Sequence, residues 1–556
     1  MWPFVSSYLT IVEEKKAKQK EALTSVTLPH GSSAEYNKFT SATATEIVTH
    51  IEKGEWTASQ VIEAYISRAA QAHAATNCLT EVMFRWAREQ ARDLDNEFSV
   101  TKRLRGPLHG VPTSFKDQFD IVGYDSTIGF TQWANKPATT NADLVTQFLA
   151  AGAVVFVKTN VPQTMFAFEC SNPLWGRSTN PHNDRYTCGG SSGGEAALLA
   201  MDGSAIGIGS DIGGSLRIPA AYCGIYSLKP STGRISFAGT RGPVEGFEGI
   251  KTVVGPMARS VEDLQLVSQV TFGIQGKEQS IAPIPYRHIQ LSPKLRFGYY
   301  TSDHFVKASP ACQRAVLETV EALRKKGHEC IEINVSFSAP EAFNIFVGLT
   351  SADGYKKMLS HLGPDPKVRK LFCLSAFIRS VVAWAMETVL GDNIFANIVR
   401  TTRVRPVDGY TTLVVWNKYD CDGIIAPVQA VPQLPHGGCN NFSALAAATI
   451  LYNVLDHPVG CLPVTHVDPS KDQISPEWTA GLGHGSSLLE RGVFYSKMPL
   501  YNPIQSAGMP IGIQIIGKKW EEEKVLEMMR VVDDTLGRDR GFGAGSWKSQ
   551  AKDRSS

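Results

Sequence analysis

The stretch GGSSGGEAALLAMDGSAIGIGSDIGGS, residues 189–215, crowds glycine and serine into one segment of a 556-residue chain. Each glycine is expensive to order on folding, so the segment has either a backbone task or no fixed structure. A flexible linker would lack apolar residues between its glycines. Here EAALLAM reads as a buried helix and SAIGIG as a strand packed closely on its neighbours, which puts the segment inside the fold. Glycines buried in a core need a backbone reason, and close approach to a ligand or an anion is the commonest.

Outward from this stretch the punctuation is that of an α/β protein. Thr43 with Glu46, and Thr57 with Gln60, have capping-box spacing before helical patterns such as Val61, Ile62, Tyr65, Ile66 and Ala69. GPLHGVPTSFKDQFDIVG is a turn-rich approach to a short strand holding Lys116. A helix around NADLVTQFLAAG and a strand AVVFVKTN follow. Beyond the glycine stretch, VEDLQLVSQVTFG and SPACQRAVLETVEALRKKGHEC read as helices, the second leading into a strand IEINV. The chain closes with strands CDGIIAPV, PVGCLPVTHV and GMPIGIQIIG and a helix WEEEKVLEMMRVVDDTLG. Helix alternating with strand predicts a sheet covered on both faces. With no internal repeat and no long linker, residues 1–556 read as one domain, comprising an N-terminal helical region (1–75), a core (100–270) and a variable substrate-pocket segment (336–420).

Composition removes several function classes. The net charge of +2 gives no electrostatic case for a nucleic-acid or membrane-surface partner. The ten cysteines are scattered with no CxxC pair, which reads as reduced thiols in a cytoplasmic protein, and the thirteen histidines show no HExxH or HxH spacing, so no metal and no cofactor are expected. The N-terminal MWPFVSSYLTIVEEKKAKQKEAL lacks a basic n-region and a small-residue cleavage site. Its Phe4, Tyr8 and Val12 fall four apart, as in a helix docked on the protein's own body. No run reaches the 18 or so apolar residues of a spanning helix, so no stable membrane insertion is expected. A small-molecule substrate remains, and a homodimer is left open.

Two chemical readings of the glycine stretch compete. Gly189 to Gly193 matches GxSxG, the nucleophile elbow, but a run of Gly and Ser meets that pattern by chance, and the downstream His457 and His466 stand in unremarkable contexts. The second reading joins Lys116 in SFKDQFD to Ser191 and Ser192 in GGSSGG and to Ser215 in GSDIGGSLRIPAAYCG. A serine hydroxyl is a poor nucleophile until a base takes its proton, and lysine serves if burial lowers its pKa. A second serine relays that proton. The glycines before Ser215 free consecutive N–H groups to face a developing oxyanion.

The block from Cys188 to Pro230, with Lys116 in GVPTSFKDQFD, resembles the amidase signature family, whose Ser-cisSer-Lys triad hydrolyses carboxamides. The similarity extends through VKTNVPQTMFAFECSNPLWGRSTNP (157–181), GPMARSVEDL (255–264) and GMPIGIQIIGKKWEEEKVLEMM (508–529) and thins between 336 and 420. It is strongest to the fungal acetamidase and general amidase branch, with fatty acid amide hydrolases as close relatives. The resemblance implies an α/β fold built on a large twisted mixed β-sheet. It implies Ser215 as acyl-forming nucleophile, Ser191 as the bridging serine after a cis peptide from Gly190, and Lys116 as base and later acid. The N–H groups of Ile212, Gly213, Gly214 and Ser215 are the expected oxyanion hole. Ser192 is the expected support of the lysine, Asp211 and Arg217 a structural ion pair, and Met165 and Phe166 residues lining an acyl channel, or simply core. The expected activity is an amidase forming carboxylic acid and ammonia or amine. An esterase or acyltransferase with the same triad, an amidotransferase subunit and a catalytically silent binding protein are the competing readings.

Overall fold

Thr43 and Thr57 both cap helices as their spacing predicts. Each accepts from the backbone of the residue three on, and Glu46 and Gln60 reach back to the cap, opening Ala44–Glu52 and Ala58–Thr76. The computed structural model describes residues 6–24, 33–335, 338–365, 416–481 and 483–547. The stretch 366–415, most of the expected substrate-pocket segment, lies outside the described residues, as do Phe4 and Cys373. The first described helix, Ser6–Thr24, docks on the body: Tyr8 and Val12 pack with Leu174 and Trp175, while buried Lys15 pairs with Glu81 and, at 2.8 Å, with Asp125. Among the described residues no helix is long and apolar enough to cross a membrane.

Thirteen strands follow among the described residues: β1 Leu79–Val82, β2 Pro112–Lys116, β3 Val154–Thr159, β4 Ser171–Asn172, β5 Gly176–Arg177, β6 Ile206–Asp211, β7 Tyr226–Lys229, β8 Val253–Ala258, β9 Arg296–Tyr299, β10 Glu329–Glu332, β11 Gly423–Pro427, β12 Val459–His466 and β13 Pro510–Ile516. Eleven form one sheet in the order β1-β3-β2-β6-β8-β7-β12-β13-β11-β9-β10, and β4 with β5 makes a small hairpin. The sheet is mixed: β3, β2 and β6 run parallel, as do β11, β9 and β10, and the strands between pair antiparallel. Every residue of β3, β6 and β13 is buried, as strands covered by helices on both faces require. The strand expected at IEINV begins earlier, at Glu329, because it pairs residue for residue with β9.

The glycines of 189–215 have local causes. EAALLA lies in the buried helix Gly193–Ala200, and a Cβ on Gly194 would stand 2.6 Å from the carbonyl oxygen of Asn160, so this helix reaches the end of β3 only without a side chain there. The register Thr113↔Ile206, Ser114↔Gly207, Phe115↔Ile208 sets β2 and β6 side by side, so that Lys116 at the end of β2 comes beside the last residues of β6. Lys116 closes one strand and Asp211 the other. Ligands in α/β sheets gather at such carboxyl ends.

Candidate active site

Lys116 is 0% exposed, and its Nζ lies 2.7 Å from Ser191 Oγ and 2.8 Å from Ser210 Oγ. Burial pulls its amine from 10.5 down to about 7, against the opposing pull of Cys170, Asp211 and Glu195. Ser191 is 2% exposed and follows a cis peptide bond from Gly190. Ser215 is half-buried, so its hydroxyl is reachable where Lys116 and Ser191 are not. Its carbonyl accepts from the N–H of Ser192 at 3.2 Å, which ties it to the turn bearing Ser191. Among the described residues no hydrogen bond joins the Ser215 hydroxyl to another group.

Behind Ser215 the loop is shaped by a buried charge. Asp211 Oδ1 accepts from Arg217 Nη2 at 3.0 Å, from Gly214 N at 2.8 Å and from Asn453 Nδ2 at 2.8 Å, while Oδ2 accepts from Leu216 N and Arg217 Nε. Burial alone would raise this carboxyl, but the guanidinium overcomes it and holds Asp211 well below the usual carboxylate range. Arg217 reaches on to Thr449 O, Gln514 Oε1 and Asn453 Oδ1, so two distant segments, the helix Ala447–Val454 and β13, are locked to the loop. The expected ion pair is present and fully buried. It also corrects the expected oxyanion set, because the single proton on Gly214 N is donated to Asp211. The amides of Ile212, Gly213 and Ser215 meet no acceptor among the described residues. Gly214 has φ +124, a conformation side-chain-bearing residues rarely adopt, and a Cβ there would stand 2.8 Å from Thr449 Cβ and Ile218 Cδ1.

Ser192 falls elsewhere than expected. Its hydroxyl donates to Ser210 O at 3.2 Å and accepts from Ser210 N at 3.3 Å, so it holds the backbone of β6, and the hydroxyl beside Lys116 is that of Ser210. Sequence reasoning passed over Ser210, although Ser192 and Asp211 flank it in the motif, and over Gln118, whose Oε1 accepts from Ser210 Oγ at 2.6 Å. Gln118 lies two residues past Lys116 in the turn that follows β2, where no periodic pattern in the sequence marks it. Glu195 was missed too. It is fully buried and accepts from Ser114 and, at 2.8 Å, from Thr159; burial pushes its carboxyl up to about 8 against those bonds and Lys116.

Met165 and Phe166 separate in role. Met165 is buried among Ile128, Phe130, Val161 and Leu362. Phe166 is half-buried, its ring 6.3 Å from that of Phe346, and Phe346 together with Ile450 faces Gly213. The helices Ser338–Thr350 and Ala447–Val454 that supply Phe346 and Ile450 pack on each other. An apolar wall therefore borders the loop bearing Ser215. Nine cysteines are described, all buried and free of disulfides.

This arrangement, a buried low-pKa amine beside a serine and an accessible second serine under free backbone amides, has the parts of an acyl-transfer centre. Known proteins agree in kind. The chain is 34% identical over 90% of its length to the putative amidase kk1C of Curvularia clavata, 89% of which is covered. It is 32% identical to an acetamidase of Aspergillus oryzae, with 90% of each chain covered. A solved structure of fatty acid amide hydrolase superposes with a TM-score of 0.82 at 29% identity, covering 96% of each chain. Since the Amidase family model also matches residues 60–526, spanning all thirteen strands and both halves of the site, the chain belongs to the amidase signature family and is a hydrolase acting on amides.

Proposed function

We propose that the chain hydrolyses a carboxamide through a seryl acyl-enzyme, with Ser215 as nucleophile, Ser191 as proton bridge and Lys116 as base and acid. The observation that carries this reading is the Lys116 amine, buried, 2.7 Å from Ser191 and titrating near about 7, where a substantial fraction is neutral at physiological pH. Neutral Lys116 takes the proton of Ser191 as Ser191 takes that of Ser215, and Ser215 Oγ bonds to the amide carbon. The carbonyl oxygen becomes an oxyanion facing the amides of Ile212, Gly213 and Ser215, each such donor typically worth ~3 kcal/mol in the transition state. Collapse breaks the C–N bond, and the amine or ammonia leaves with the proton returned from Lys116 through Ser191. Water then attacks the acyl-enzyme by the same path and releases the carboxylic acid. The Asp211–Arg217 pair presents the amide loop. The wall of Phe166, Phe346 and Ile450 supports an apolar acyl group beside Gly213. A cytoplasmic location belongs to the same reading, supported by the nine buried thiols.

Fluorophosphonate labelling with peptide mapping tests the proposal. The adduct is expected on Ser215, absent in Ser215→Ala and slowed in Lys116→Ala. An adduct on Ser191 or Ser192 with Ser215→Ala still reactive overturns it.

A further inference from the structure

Lys116 has two hydroxyl partners, and only Ser191 lies on the proposed proton path. The other, Ser210, donates its single O–H to Gln118 Oε1 at 2.6 Å. Lys116, Ser191, Ser210 and Gln118 are all buried, so solvent does not rearrange the chain of bonds. With its proton given to Gln118, Ser210 presents only lone pairs to the amine 2.8 Å away, and an N–H of Lys116 must meet them. A neutral amine has one lone pair. Once an N–H is committed to Ser210, that lone pair is free to face Ser191 and take its proton. Were Ser210 to donate in the opposite sense, its proton would occupy the lone pair and the base would be blocked. Gln118 Nε2 points to the same arrangement: it is buried without an acceptor among the described residues, so the side chain keeps its oxygen on Ser210 at the expense of its own N–H.

The geometry points to Gln118 and Ser210 as positioning residues that set the direction of the Lys116 lone pair, Gln118 by holding the Ser210 proton and Ser210 by accepting from the amine. The inference rests on Lys116 as the base. It distinguishes two functions for neighbouring hydroxyls, Ser191 as the group that passes a proton and Ser210 as the group that must not. The charged or titratable groups around the amine are Glu195 from the helix Gly193–Ala200, Asp211 at the end of β6, and Cys170.

The test measures the second-order rate of Ser215 labelling by an alkyl fluorophosphonate from pH 5 to 9, with thermal melting of each variant in parallel. In Gln118→Met the Ser210 proton loses its acceptor and turns into the amine, so labelling falls about 30-fold, within the range proton-transfer catalysis supplies. Removing that proton restores the base: the double variant Gln118→Met/Ser210→Ala labels about 10-fold faster than Gln118→Met, at the rate of Ser210→Ala alone. Ser210→Ala also removes an acceptor that favours the ammonium form, so its acid limb moves to lower pH. Loosened packing would admit water and move that limb upward toward the ordinary lysine value. Wild-type labelling in Gln118→Met, a double variant no faster than Gln118→Met, or an upward-moving limb in Ser210→Ala overturns the proposal. If Gln118→Met does not fold, the limb of Ser210→Ala decides alone. Lys116→Ala labelling at the wild-type rate refutes the base itself, and the positioning role with it, which separates the two failures.

Discussion

Replacing Lys116 by methionine should abolish turnover and yet stabilise the protein at neutral pH. In the folded chain the amine titrates near about 7 in place of 10.5, and at ~1.4 kcal/mol per pH unit the buried charge costs about 5 kcal/mol. Between those two values the unfolded chain holds a proton that the folded chain has released, so stability rises with pH across the window. The penalty is therefore complete below about 7, shrinks as pH rises and is gone near 10.5. Methionine is of similar length and uncharged, and removes the penalty. It also leaves the hydroxyls of Ser191 and Ser210 without their lysine, at about 1 kcal/mol each. The expected net gain is about 3 kcal/mol at pH 6.5, turning to a loss of about 1 kcal/mol near pH 10. For a chain this long 1 kcal/mol corresponds to about 1 °C in Tm, from the usual unfolding entropy per residue. Thermal melting of both proteins across pH 6.5–10 reads the effect as a Tm difference that starts positive and changes sign. A difference constant over that range would mean that the Lys116 proton is not linked to folding, and the argument for a neutral lysine base would fail.

The same amine predicts that wild-type kcat/KM for an amide substrate falls as pH drops below about 7; a profile flat to pH 5 with intact protein contradicts it. Gly214→Ala adds a Cβ at φ +124 against Thr449 and Ile218, so it should cost about 1–3 kcal/mol and slow Ser215 labelling on the order of 100-fold by displacing the neighbouring amides, both read on one purified variant. Arg217→Met leaves the Asp211 carboxylate buried and uncompensated, a loss of about 3–5 kcal/mol that melting should register as a Tm drop of several degrees. Phe346→Ala opens the wall beside Gly213 and should shift the ratio of kcat/KM for bulky over small acyl amides about 10-fold toward the bulky ones, with an unchanged ratio refuting the placement of the acyl group.

Much of the secondary structure was legible because its signals are local. Capping boxes at Thr43 and Thr57 act over four residues, and the apolar run of β13 is buried on both faces wherever it pairs. The order of the eleven strands was not legible. β12 joins β7 to β13 across more than 200 residues of chain, and no local pattern specifies a partner at that distance.

For the site, the residues by themselves put Lys116, Ser191 and Ser215 forward together, because a motif of glycines and serines with a remote lysine admits few other uses, and the family resemblance added the pair Asp211–Arg217. Tertiary structure alone decided what each proton does. Gly214 N–H is withdrawn from the amides above Ser215 only because Asp211, held in place by Arg217, Asn453 and the turn itself, is the stronger acceptor. Ser210 stands beside the lysine, and Ser192 does not, because strand pairing brings Lys116 at the end of β2 beside the last residues of β6 and the Ser210 hydroxyl then meets Lys116 and Gln118. Hydrogen bonds are directional and span about 3 Å, so their donors and acceptors are chosen by which backbones the fold brings together, and that information is spread over the whole chain.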